Sequence, residues 1–356
     1  MTVLWDNIFD AYFHEKELHE KLEGREEKAI YHLPQEYLEL WRMPRFLEAV
    51  TGDIRRIERG AIMESWQNWH RGHSSAVAVI GYLGEGVSLF LNSLQPYFGE
   101  GQFYYLKLNR KVTGEKDLLE LINIDKLHQD KARVIVIDNC HHLFLRKPGG
   151  FQALKMFLEI IAATSKNFFW ITGWGRQSWI YLGNIFGFEH LFSTVVPFHK
   201  LDALELAELF LTTAASRGFQ VAVKGDFFVR MAEVTGGLIT PAIYYWLMCS
   251  EEQEVEPGVK QIVLQERTDI FQYQWMEELS EDEIYLLLAL LQGDGLSLEQ
   301  IKDFLAMDYL WCRMATGSLV KKKLAIAEKD VCLVNPLALP AVIKALTKRR
   351  SVIFTR

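Results

Sequence analysis

Five short apolar runs, Val77–Ile80, Phe103–Leu108, Val134–Ile137, Phe168–Ile171 and Thr194–Val196, recur between residues 76 and 200. The stretches between them carry helical spacing at 88–95, 115–128 and 151–163. Runs that are apolar on both faces belong to strands covered on both sides, and helices between successive strands make the pairing parallel. The pattern therefore predicts a three-layer α/β domain. Ahead of it, Gln35–His70 has helical spacing with breaks at Pro44 and Gly52. A short aromatic segment and the charged helical piece His14–Leu22 come first.

After residue 200 the helical period continues. Asp202–Arg217 and Phe227–Met248 read as the helices of a small lid, Glu251–Gly258 as an exposed loop, and 260–278 as a connecting helix. Ser280 and Glu283 have capping-box spacing in front of Ile284–Leu291. Ser297–Leu305 and Tyr309–Lys322 give two further helices, and Leu324–Ala327 with Val331–Val334 a hairpin before a last helix at 337–347. Three helices and a hairpin predict a winged-helix domain. The expected order is an N-terminal helical arm (1–45), the α/β domain (46–200), the helical lid (201–255), the connecting helix (256–278) and the winged helix (279–356).

Composition narrows the class. With 356 residues, 49% of them hydrophobic and 13% aromatic, the chain is expected to fold into more than one globular domain. A net charge of -7 argues against a protein wrapped in nucleic acid. The charge is uneven, however: residues 321–356 hold nine Lys or Arg against two acids. Cys140, Cys249, Cys312 and Cys332 lie far apart, without metal or disulfide spacing, which fits a reduced, cytoplasmic setting. No run is long enough to span a membrane. The nearest, Phe168–Phe188, is broken by Arg176, Gln177 and glycines and reads as a buried strand followed by an aromatic loop. Peripheral membrane association stays open.

The chemistry concentrates where strand-like Val77–Ile80 enters Gly81, Gly84 and Gly86 and leaves through Ser88–Leu94. Gly81-x-x-x-x-Gly86-x-Ser88 has the spacing of a phosphate-binding loop, in which backbone amides curl around phosphates and a Ser or Thr hydroxyl meets magnesium. Val87 stands where that motif has its lysine, and valine offers neither charge nor donor. Backbone amides and Ser88 would then hold nucleotide only weakly. The same stretch also reads as a glycine-rich turn with no ligand.

A second stretch, Val134-Ile135-Val136-Ile137-Asp138-Asn139, is an apolar strand that ends in an acid and an amide. Together the two stretches make the chain resemble a P-loop NTPase of the AAA+ or STAND type, with both motifs degenerate. The resemblance implies a bound ATP or ADP whose magnesium is held by Ser88 and Asp138. It places Asn139 at the position of the carboxylate that activates water, and an amide has no such basicity. Thr172 matches the polar sensor of the next strand, with Arg176 beyond it as a phosphate or subunit contact. Arg230 is the nearest cation to the Gly236-Gly237 lid turn. His141 and His142 read as structural or surface residues.

Two losses bearing on one phosphoryl-transfer step make efficient hydrolysis improbable. The leading expectation is a pseudo-ATPase: a scaffold or regulatory subunit that requires no cofactor and binds ATP or ADP with magnesium weakly. It would meet a protein partner or further copies of itself. Two alternatives accompany it. One is a slow or partner-activated ATPase that borrows Lys107, Lys111 or Lys116. The other is a DNA-associated regulator acting through the winged helix, with Arg313 and Lys321–Lys323 as its basic surface.

Overall fold

The computed structural model describes residues 33–42, 54–73, 75–99, 102–123, 133–256, 259–267, 276, 278–328 and 330–349. Residues 1–32 and 43–53, which carry the N-terminal aromatic segment, the 14–22 helix and both expected helix breaks, lie outside them. In chain order the elements begin with α1 (Gln35–Arg42), α2 (Arg56–His70), β1 (Ala76–Gly81), α3 (Val87–Ser93), β2 (Phe103–Lys107), α4 (Glu115–Leu121) and β3 (Val134–Asp138). They continue with α5 (Gln152–Thr164), β4 (Phe169–Gly175), α6 (Arg176–Phe186), β5 (Thr194–Pro197), α7 (Ala203–Ser216), β6 (Val221–Val223), α8 (Phe227–Thr235) and α9 (Ile239–Cys249). Next come β7 (Ser250–Glu256), β8 (Val259–Leu264), α10 (Glu281–Gly293), β9 (Leu296–Ser297), α11 (Leu298–Leu305), α12 (Tyr309–Lys321), β10 (Ala325–Glu328), β11 (Val331–Val334) and α13 (Leu339–Lys348). The described residues divide into two compact units: those within Met1–Ile54 and Lys200–Gln272, and those within Arg55–His199 and Tyr273–Arg356.

The second unit contains the parallel sheet, ordered β2-β3-β4-β1-β5. Every residue of β1 and β3 is buried, because both faces of the sheet are covered. On one face Val77, Val79, Val134, Val136, Phe169, Ile171 and Val196 pack with Ile62 of α2 and with Phe90 and Leu91 of α3. On the other, Trp170 meets Phe157 of α5 edge-on at 6.1 Å. A three-layer α/β domain with strands in the order 5-1-4-3-2, a glycine loop leaving β1 and an acid closing β3 on the far side of β4 is a P-loop NTPase-like fold.

Residues 279–349 of the same unit form three helices, a small antiparallel sheet ordered β10-β11-β9, and α13. Ser280 and Glu283 do form a reciprocal capping box at α10, and Ser297 with Gln300 caps α11 in the same way. Glu283 also accepts from Lys322 Nζ at 2.6 and 2.8 Å and from Ser318 Oγ at 2.6 Å, which ties the start of α10 to the end of α12.

Three expectations are corrected. The stretch after β4 is helix α6, not an aromatic loop: Trp179 and Leu182 lie one turn apart and are buried together. Glu251–Glu256 is not a loop but most of β7, paired antiparallel with β8, and β8 replaces the first part of the connecting helix expected at 260–278. Val259, Ile262, Val263 and Leu264 suit a pleated surface better than a helix. The lid is therefore not wholly helical: β6, β8 and β7 form a sheet beside α7–α9. In this unit α1 packs Trp41 against Phe210 (5.0 Å between centroids) and Trp246 (5.7 Å), and Tyr37 reaches Ser250.

Candidate functional site

The loop between β1 and α3 turns where the sequence allows it. Gly84 and Gly86 take φ of 82° and 83°, the left-handed region that L side chains avoid. Between them Glu85 is fully buried, and its carboxylate accepts the Tyr82 N–H at 2.6 Å. A negative charge thus sits within the loop on one of its own amides. Beside it the Arg176 guanidinium lies 5.4 Å from the centre of the Tyr82 ring. Burial raises the Tyr82 hydroxyl's pKa, Arg176 opposes that, and the Glu85 charge adds to it. Arg176, expected as a phosphate or subunit contact, thus lies over the Tyr82 ring of the loop.

Gly81 closes β1, and the half-buried Val87 opens α3 with its side chain turned back toward it. A Cβ on residue 81 would lie 2.5 Å from Val87 Cγ2. Valine at this position packs inward, whereas a lysine in its place would have to extend away from the core.

Asp138 is buried at the end of β3. Its Oδ2 accepts from the Tyr105 hydroxyl at 2.7 Å and its Oδ1 from the Asn139 N–H at 2.8 Å. Burial is the largest influence on Tyr105, followed by the Asp138 charge and the hydrogen bond to it. All three push its pKa upward, so the phenol stays protonated and donates. Both Asp138 oxygens are engaged within the protein, so a magnesium ion held there would have to displace the Tyr105 hydroxyl from Oδ2.

Asn139 adopts a left-handed conformation (φ 60°), which asparagine tolerates, and its side-chain N–H donates to the Leu108 carbonyl at 3.1 Å. Thr172 is fully buried, donating to the Val77 carbonyl at 3.1 Å and accepting from the Trp174 indole at 2.8 Å. In the other unit Arg230 pairs with Glu233 at 3.2 Å and Glu266 at 3.6 Å. Lys111, one of the lysines considered as a substitute cation, donates instead to the His141 and Gly293 carbonyls.

Sequence reasoning missed Tyr105, Glu85 and the role of His141. Tyr105 reads as one more aromatic residue in a strand, and Glu85 as one more polar loop position. The adjacent histidines were visible, but their partner was not: His141 Nε2 lies 2.6 Å from Asp294 Oδ2, and His141 Nδ1 accepts from the Gly175 N–H at 3.1 Å. Among the described residues, no group of three His, Cys, Asp or Glu is placed to hold a metal, and no helix is long and apolar enough to cross a membrane.

No family model matches the sequence, and no curated protein does. Solved structures with similarity include the RuvB Holliday junction branch migration motor of Thermotoga maritima. That match has 14% identity and a TM-score of 0.37, and covers 84% of this chain and 94% of that one. The ORC2 protein of Aeropyrum pernix gives 12% identity and a TM-score of 0.42 over 84% of this chain and 95% of that one. A Walker-type ATPase of Pyrococcus abyssi gives 13% and 0.43 over 81% and 95%.

Proposed function

We propose that this chain is a pseudo-ATPase: a P-loop NTPase-like subunit that acts as a protein-interaction scaffold or regulatory subunit, with a winged-helix domain at residues 279–349. The observation that carries this reading is the buried Asp138 carboxylate, which accepts the Tyr105 hydroxyl on Oδ2 and the Asn139 N–H on Oδ1. Val87 removes the mobile cation, Glu85 brings a carboxylate to the loop, and Asn139 directs its amide to Leu108. Each change weakens charge neutralisation or water activation, the two things phosphoryl transfer needs from a protein. Nucleotide binding at this loop is accordingly weak and independent of magnesium. The chain works in the cytoplasm with a protein partner or as a homo-oligomer.

The DNA-reading alternative is less well supported. The outward residues of α12 include Leu310 and Met314, 65% and 67% exposed, where base reading calls for polar side chains.

Calorimetric titration with ATP and ADP, with and without magnesium, tests the proposal, alongside phosphate release compared with Asp138→Ala. The expected result is no magnesium-dependent binding and turnover equal to that of the variant. Tight magnesium-dependent binding, or turnover abolished by Asp138→Ala, would overturn it.

A further inference from the structure

We propose that the C-terminal end of α10 is a proton-sensitive latch that holds residues 279–349 against the ends of β3 and β4 and loosens on acidification. An α-helix leaves its last carbonyls without partners of its own. At α10 three elements of the α/β domain supply them. Ser178 Oγ of α6 donates to the Gln292 carbonyl at 2.6 Å, and Lys111 Nζ, from the loop after β2, donates to the Gly293 carbonyl. His141, in the turn after β3, meets the Asp294 carboxylate.

The histidine is the pivot. Its Nδ1 faces the Gly175 N–H at 3.1 Å and its Nε2 faces the Asp294 carboxylate at 2.6 Å. One buried imidazole therefore joins the turn after β3, the end of β4 and the cap of α10. Asp294 itself is left-handed, φ 49°, a conformation that aspartate tolerates. Aromatic packing backs the polar contact: Phe304 of α11 lies 6.4 Å from Phe144 and 6.3 Å from Tyr181.

Four titratable groups face one another here: Lys111, His141, His142 and Asp294. Burial lowers Lys111 from 10.5 to about 7, with Asp294 opposing. Burial also holds His142 well below 6.5, helped by the charges of His141 and Lys111. For Asp294 burial acts upward, but the charge and hydrogen bond of His141, with His142 and Lys111, bring it down from 3.8 to about 2. The signs agree. An undocked Lys111 binds more protons than a docked one from pH 10.5 down to about 7, and an undocked His142 does so from 6.5 downward. The Asp294 contribution is present above 3.8 and is lost as pH falls toward 2. Docking therefore strengthens as pH rises through each window, by up to about tenfold per pH unit for each proton released.

Hydrogen exchange on the full chain tests this, read as protection of the amides at the end of α10 after correction for the intrinsic rate. Protection is expected to rise between about pH 7 and about pH 9, and that rise to disappear in Lys111→Met. Ser178→Ala removes an uncharged contact, so it should lower protection several-fold while keeping the slope. A flat wild-type profile, an unchanged slope in Lys111→Met, or a slope abolished by Ser178→Ala would each overturn the latch.

Discussion

Two polar clusters lie at the carboxyl ends of the central strands, and they differ in where their partners come from. Tyr105, Asp138, Asn139 and Thr172 bond to residues of the sheet itself or of the segments joining its strands. Lys111, His141 and Ser178 instead reach carbonyls and a carboxylate on α10, more than a hundred residues further along the chain. The first cluster is closed on itself. The second is completed only by the C-terminal subdomain. The comparison teaches that polar groups at the strand ends of one sheet are satisfied by two different routes. Buried polar groups need partners, and here one set finds them within the sheet and the other in a neighbouring subdomain.

The comparison breaks most readily at His141. His141→Ala leaves the Gly175 N–H and the Asp294 carboxylate without their partner in a buried setting, an expected loss of about 2–3 kcal/mol in urea unfolding. A loss well below 1 kcal/mol would mean that the second cluster is incidental packing. The expected effect at Tyr105 is smaller. Tyr105→Phe keeps the ring and removes only the hydroxyl, leaving Asp138 with the Asn139 N–H alone, so about 1–2 kcal/mol should be lost. Magnesium and ADP should not restore it, because Val87 and Glu85 remain in the loop. Recovery of the lost stability on adding both would show that the first cluster is a cation site in disguise, and the contrast between the clusters would collapse.

The sheet was legible in the sequence because its strands are apolar on both faces, a pattern that few other structures require. The cap at Ser280 was equally plain, since a capping box is a local device. The hairpin β7–β8 was not. Glu251, Glu252 and Glu254 look like a solvated run, and only pairing with Val263, Ile262 and Lys260 makes them a strand. The loop after β1 could be located from its glycines. What fills the site could not, because Tyr105 and Asp138 are 33 positions apart and meet only through the parallel register of β2 and β3. The link from His141 to Asp294 spans still more chain, so two adjacent histidines offered no hint of an acid at the end of a distant helix.

The smallest expected effect separates a damaged site from a rebuilt one. Val87 is half-buried and packs toward Gly81, so Val87→Lys loses part of one side chain's burial, about 0.5–1 kcal/mol, while the lysine stem recovers some of it. If the missing lysine were the only lesion, this change alone would bring magnesium-dependent ADP binding. The geometry argues otherwise. The Glu85 carboxylate would still accept the Tyr82 N–H, and the Tyr105 hydroxyl would still occupy Asp138 Oδ2. Calorimetry on Val87→Lys should therefore match wild type. A magnesium-dependent binding isotherm from that single substitution would show that the strand-end cluster opens to a cation, and that its hydrogen bonds occupy the site without closing it.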